Sequence, residues 1–306
     1  MHLSANWQFL LMNQILRGTF FMQPRLAIGM RDQVQQILTG QISDVQDRTP
    51  YSISLSRPAG QIQAATDDHA SSIYDQAEEG SIAVFSIAGT MLKYGTLCDY
   101  GTAEIAGFML EAIYHKNISG IVVDMDTGGG SVSAIAPILQ VRKEARRLNK
   151  PFVASFDMCC SAGVYAISDA DLIVANNNVS AEYGSIGVMM SFVDVIPHYE
   201  KEGFKFHSIY ADQSDHKNQE FELALEGKYE GIRQNMLNPL ALQFQDHVRK
   251  SRAGKLDESA KGILNGKVYF AEEAKKYGLI DEIGDLSLAI ERAHQLAQSR
   301  KFLSQS

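Results

Sequence analysis

Cysteine is scarce in this chain. Cys98, Cys159 and Cys160 are the only three among 306 residues. An odd, sparse set excludes a disulfide framework and fits a reducing compartment. No Cys/His spacing resembles a zinc site, and the eight histidines are scattered, so neither a metal nor another cofactor is expected. No run approaches the roughly 18 consecutive apolar residues of a membrane span. The apolar start, Phe9 to Leu16, has no basic stretch before it and no small-residue cleavage site after it, so it reads as a poor signal peptide. It reads as an amphipathic helix that packs within the protein or on a sister subunit, with membrane binding as the alternative. These absences together predict a cytoplasmic protein. Basic charge is short too: 28 Lys and Arg against 36 Asp and Glu give a net charge of −8. The one basic run, Arg142 to Arg147, is interrupted by Glu144 and reads as the solvated face of a helix. A nucleic-acid groove would need a basic patch, so nucleic acid is not an expected partner. Internal repeats and low-complexity segments are missing as well.

What is present is a hydrophobic fraction of 45%, enough for one large domain or one domain plus an extension. Residues 1–80 read as an N-terminal extension and linker, with helices near 6–16 and 30–39 and a polar, turn-rich stretch from Thr49 to His69. From Ser81 the pattern becomes strand and helix in alternation. Strands are predicted over 81–87, 120–126, 152–157 and 171–175, with helices over 102–115, 132–148 and 161–169. Near-continuous apolar strands separated by helices predict an α/β domain over 81–300 with a largely parallel sheet. A long helix is predicted from about 224 to 251, in a helical C-terminal part.

Three segments carry chemistry. Phe152 to Tyr165 reads as a buried strand, a tight turn of small residues and a helix, with Ser161 at the turn. A hydroxyl there meets the unpaired N–H groups and positive end of the helix, and strained turns of this kind carry the nucleophile in several unrelated hydrolases. Ser161 can equally be a helix cap. Asp126-Thr127-Gly128-Gly129-Gly130-Ser131 lies between a strand and a helix. It lacks the Gly-Lys-Ser/Thr of a phosphate loop and has Ser133 where a dinucleotide fingerprint needs glycine. Its N–H groups can instead hold an oxyanion, which can contribute about 3–4 kcal/mol to a barrier; a flexible turn is the alternative. Tyr183-Gly184-Ser185-Ile186-Gly187-Val188 reads as a turn, or as one wall of a substrate cleft.

These segments together resemble the serine peptidase family of signal peptide peptidase A (protease IV), which includes phage capsid-assembly proteases related to minor capsid protein C. Asp126 to Gly130, Cys160-Ser161-Ala162-Gly163-Val164-Tyr165, Ala170-Asp171 and Gly184 to Val188 match its motifs in order, over roughly residues 80–295. The extension before residue 80 and the lack of an anchor look more like the phage branch. The resemblance implies a fold like the Clp protease and crotonase group, with repeated ββα units, and assembly into a homo-oligomeric ring or dome. It implies a polypeptide substrate, signal-peptide remnants or phage capsid and scaffold proteins, and for the phage branch an association with the prohead. It also implies a Ser/Lys dyad of Ser161 and Lys217, at a spacing of 217 − 161 = 56 residues, in some members contributed by neighbouring subunits. Gly129, Gly130 and Ala162 would supply the oxyanion hole, and Gly128, Gly184 and Ser185 the substrate cleft. Two departures stand out: the turn before His216-Lys217 has no glycine, and Gly128 replaces the usual proline. Lys205 and Lys201 are the other lysines of that segment. A neutral lysine near pH 7 needs a reference value of about 10.4 to fall by about three units, so the resemblance also implies a water-poor pocket for Lys217. The competing readings are a catalytically inactive peptidase-like scaffold, an acyl-CoA enzyme of the related crotonase fold, and a Cys160 nucleophile.

Overall fold

The computed structural model describes residues 20–22, 51–58, 62–66, 70–95, 99–192, 194 and 196–305. The helices expected near 6–16 and 30–39, and Cys98, lie outside them.

A nine-stranded sheet organises the chain. Its centre is β4 (Ser81–Ala88), β5 (Ile118–Thr127) and β7 (Phe152–Cys160), all parallel. Helices α2 (Thr102–Tyr114) and α3 (Ile135–Arg147) make the crossovers, as parallel strands require. Successive side chains point to opposite faces of a strand, so each strand feeds two cores. Ala83, Phe85, Ile121, Val123, Ala154 and Phe156 enter the larger one, with α2 and α3. Ile82, Val84, Val122, Val153 and Val174 face Ala289, Ile290 and Ala293 of α9 (Leu286–Gln305). The unbroken apolar runs seen in the sequence are therefore strands covered on both faces.

The stretch expected to be linker contributes to the sheet. β2 (Ser52–Ser56) runs antiparallel to β4, and β3 (Ile62–Thr66) antiparallel to β2. Ser52-Ile53-Ser54-Leu55-Ser56 alternates polar and apolar residues, the pattern of a half-covered strand, and the turn residues after it obscured that signal.

β7 divides its pairing. Val153–Phe156 pair with β8 (Leu172–Ala175), while Met158–Cys160 pair with β9 (Glu182–Gly184). The register slips at Asp157, which has no partner on β5; such a bulge bends its strand. The slip turns the end of β7 away from β8 and onto β9. β9 in turn pairs antiparallel with β10 (Val268–Phe270).

The long helix predicted over 224–251 is broken. α6 (Gln219–Leu225) ends at Gly227, whose φ of +80° suits glycine. A short helix, Glu230–Ile232, and a π-helical turn, Arg233–Leu237, then lead into α7 (Asn238–Ser251). Pro239 lies in the first turn of α7 and has no N–H to continue the ladder, which accounts for the irregular turn before it.

Two buried ion-pair groups tie distant parts of the chain together. Arg142 donates to both carboxylate oxygens of Asp171, at 3.2 and 2.9 Å, and Arg300 of α9 reaches the same carboxylate at 2.8 Å. Arg252 makes a like pair with Asp281, at 2.9 Å to each oxygen. Burial alone would raise both carboxyls; Arg142, the Phe152 N–H and Arg300 outweigh it at Asp171, and Arg252 and Lys255 do so at Asp281, holding both below the usual carboxylate range. A folded-state value below the unfolded one adds stability above about pH 4, lost as the pH falls through the folded value. Thermal melts should therefore decline gently below about pH 6.5, where burial holds His247 and His294 below their ordinary values, and fall steeply below about pH 4. A melting temperature independent of pH down to 3 would exclude this linkage.

Candidate active site

β7 delivers Ser161 to the end of the sheet. Its φ of 55° and ψ of −111° are unusual for a residue with a side chain, and such conformations cost about 1–3 kcal/mol. The turn is held from outside itself: the Ser161 N–H donates to Gly184 O at 2.9 Å, and Tyr165 N–H to Ser161 O at 3.0 Å. Ser161 does not cap α4 (Ala162–Ile167) through its side chain. It is 1% exposed, and its hydroxyl meets no hydrogen-bond partner among the described residues. A buried hydroxyl without a partner carries a desolvation penalty and calls for an explanation. The capping alternative is removed, and an unengaged oxygen is held in place.

The glycine loop packs against this turn. A Cβ on Gly163 would meet Thr127 Cγ2 at 2.9 Å and Cys159 Sγ at 3.0 Å, so only glycine lets the helix approach the loop this closely. Thr127 Oγ1 donates to Gly89 O at 2.5 Å and accepts the Gly129 N–H at 3.1 Å. Past the buried Gly128 the chain forms β6 (Gly129–Ser131), which lies beside α4. Met91 N–H donates to Gly129 O at 3.0 Å, and Ser131 N–H to Met91 O at 2.9 Å. The loop is thus clamped rather than a flexible turn.

The second glycine cluster lies beside the Ser161 turn. Gly184 has a φ of +140°, and a Cβ there would lie 2.4 Å from Lys267 O. Ser185, with a φ of 56°, donates its N–H to that carbonyl at 2.9 Å. Behind α4, His247 of α7 stacks on the Tyr165 ring at 4.3 Å and its Nε2 lies 3.0 Å from Tyr165 O. Burial, with Glu182 nearby, pushes the Cys160 thiol up to about 12, and burial raises Cys159 well above its ordinary value. Neither is a thiolate near pH 7, which removes the Cys160 nucleophile.

The structure therefore brings Ser161, Gly128, Gly129, Gly130, Ala162, Gly184 and Ser185 to one end of the sheet. It does not enclose the lysine. Lys217 is exposed, as are Lys201 and Lys205, so the described residues form no water-poor pocket around Lys217. Gly129 also differs from expectation, since its N–H is already given to Thr127. Sequence reasoning missed Met91 and Lys267, which act through backbone carbonyls that carry no side-chain signal. Tyr183, fully buried with an unpartnered hydroxyl, could have been noticed as the one aromatic in a run of small residues.

A family model described as peptidase family S49 matches residues 144–300, from just past the glycine loop to α9 and through Ser161, Ser185 and Lys217. The chain belongs to peptidase family S49. Among curated S49-like proteins, it is 26% identical over 244 residues to Protease 4 of Haemophilus influenzae, covering 77% of this chain and 38% of that protein. It is 31% identical to the chloroplastic serine protease SPPA of Arabidopsis thaliana, covering 71% of this chain and 32% of the relative. To capsid assembly protease C of Escherichia phage lambda it is 27% identical, covering 72% and 50%. The chain thus spans between a third and a half of the length of these relatives. Among solved structures, an enoyl-CoA hydratase/carnithine racemase from Magnetospirillum magneticum aligns with a TM-score of 0.40 at 13% identity, covering 74% of this chain and 78% of that one. No helix among the described residues is long and apolar enough to cross a membrane.

Proposed function

We propose that this S49 chain is a serine endopeptidase in which Ser161 attacks the scissile carbonyl and Lys217 takes its proton. The observation that carries this reading is the Ser161 hydroxyl, buried and unpartnered on a strained turn against the glycine loop. Attack forms the Oγ–C bond and an oxyanion, which the N–H groups of Gly130 and Ala162 hold; Gly129 can join them only by leaving Thr127. Collapse expels the amine, which leaves with the proton carried by the lysine, and water then hydrolyses the acyl-enzyme. Gly128, Gly184 and Ser185 line the cleft. Signal-peptide remnants and phage capsid or scaffold proteins are the substrates suggested by what the relatives are called.

The exposed lysine becomes chemically useful once covered, because desolvation lowers a lysine's pKa. Its segment is also apolar: Phe204, Phe206, Ile209, Phe221, Leu225 and Tyr229 are all exposed, Ile209 at 94%. Such a patch marks an interface. A homo-oligomer in which a neighbouring copy covers this arm, bringing one subunit's Lys217 to another's Ser161, accounts for both facts.

Two experiments test this. A fluorophosphonate probe should label the Ser161 peptide, seen by mass spectrometry, and Lys217→Ala should lose both labelling and cleavage of an unfolded protein. Mixing Ser161→Ala and Lys217→Ala chains and letting them reassemble should then restore cleavage. Retained cleavage in Lys217→Ala would transfer the role to Lys205 or Lys201. A folded, assembled wild type that neither labels nor cleaves would favour the scaffold reading, which the exposed lysine of the lone chain also fits.

A further inference from the structure

β6 has two edges, and each is taken. On one edge Met91 binds Gly129 O and the Ser131 N–H. Along an extended strand, successive residues turn their backbone groups to opposite sides, so the N–H and C=O of Gly130 point to the other edge. There β1 (Phe20–Met22) runs antiparallel to β6, with Phe20 opposite Ser131, Phe21 opposite Gly130 and Met22 opposite Gly129. β1 also lies alongside α4, the helix that follows Ser161. The chain's own N-terminal segment therefore covers the glycine N–H that the cleavage reaction needs.

We propose that Phe20–Met22 is an autoinhibitory strand, seated where an extended substrate polypeptide would pair with Gly129–Ser131, and that it must leave before a substrate can bind. This rests on the Ser161 peptidase reading. An exposed strand edge pairs with any extended main chain, so the segment and a substrate compete for the same groups. Three residues make a weak partner, but tethering gives a local concentration in the millimolar range, enough to exclude substrates present at micromolar levels. Removing the strand therefore acts on KM and leaves kcat nearly unchanged.

The test uses the full chain. Proline has no N–H to give to Gly130, so Phe21→Pro removes the central pairing, while Phe21→Ala keeps that N–H and serves as control. Phe21→Pro should lower KM for a fluorogenic peptide about tenfold or more, with kcat within about twofold. In a Ser161→Ala background, a dye-labelled peptide of residues 16–26 should bind the Phe21→Pro chain at least about tenfold more tightly than the chain with Phe21. Cleavage with an unchanged KM and equal peptide binding overturns the autoinhibitory strand and leaves the peptidase reading intact. Tighter peptide binding without cleavage by any form overturns the peptidase reading and retains the strand-for-peptide exchange. Should Phe21→Pro fail to fold, hydrogen exchange on the unmutated chain decides: saturating substrate peptide should speed exchange at Phe21, and unaltered exchange overturns the proposal.

Discussion

Ser161→Ala should abolish the proposed cleavage and make the protein more stable. The loss should be on the order of 10⁴-fold or more, the scale seen when the nucleophile is removed from other serine peptidases. The gain follows from the same atom. The hydroxyl is buried and has no hydrogen-bond partner among the described residues, so deleting it removes a desolvation penalty of about 1 kcal/mol, worth about 2 °C in melting temperature for a chain of this size. Ser161→Gly should gain further, because glycine relieves the positive φ. A structural serine would behave in the opposite way, keeping activity and losing stability when changed. Paired melting curves and cleavage rates for the three proteins separate the two cases.

Gly130→Ala should be strongly destabilising. Its Cβ would sit 2.0 Å from Met91 O and 2.7 Å from Met91 C and N. These are backbone atoms, fixed by the hydrogen bonds between Met91 and β6, so neither side can yield by changing a rotamer. The clamp has to open, at a cost of about 3 kcal/mol or more, and the Gly130 N–H moves with it. Gly107→Ala is the matching control: it lies in α2 with nothing within 4 Å of the added Cβ, and should stabilise by about 0.5–1 kcal/mol. Equal denaturant midpoints for the two variants would show that Met91 does not fix the loop.

Much of this site was legible because its residues are small where strands end. Cys160-Ser161-Ala162-Gly163 and Gly128-Gly129-Gly130 admit few structures other than close backbone packing, and the gap of Thr127 against Gly163 bears that out. Near-continuous apolar strands alternating with helices pointed to an α/β sheet for the same local reason. What escaped notice depends on distant partners. The unusual φ of Ser161 is imposed by Gly184 O, twenty-three residues along the chain. The strand over Ser52–Ser56 is half covered and was masked by Pro58 next to it. The helix expected over 224–251 kept its apolar spacing, but Gly227 and Pro239 interrupt the backbone, and periodicity does not register backbone breaks. The exposure of Lys217 depends on everything packed or not packed around it, which spacing along the chain does not contain.

The valine face of the sheet has a consequence for how the protein is made. Ile82, Val84, Val122, Val153 and Val174 emerge from the ribosome long before α9, which covers them. Domains are synthesised from the N-terminus at about 5–20 residues per second, so this face stands bare for several seconds after the Ser161 turn is already out. Arg300, which closes the buried pair on Asp171, arrives later still. The nascent chain therefore holds every residue of its Ser161 turn while lacking the helix that covers this face of the sheet, and the emergence of α9, rather than synthesis of the site, sets when the fold can close.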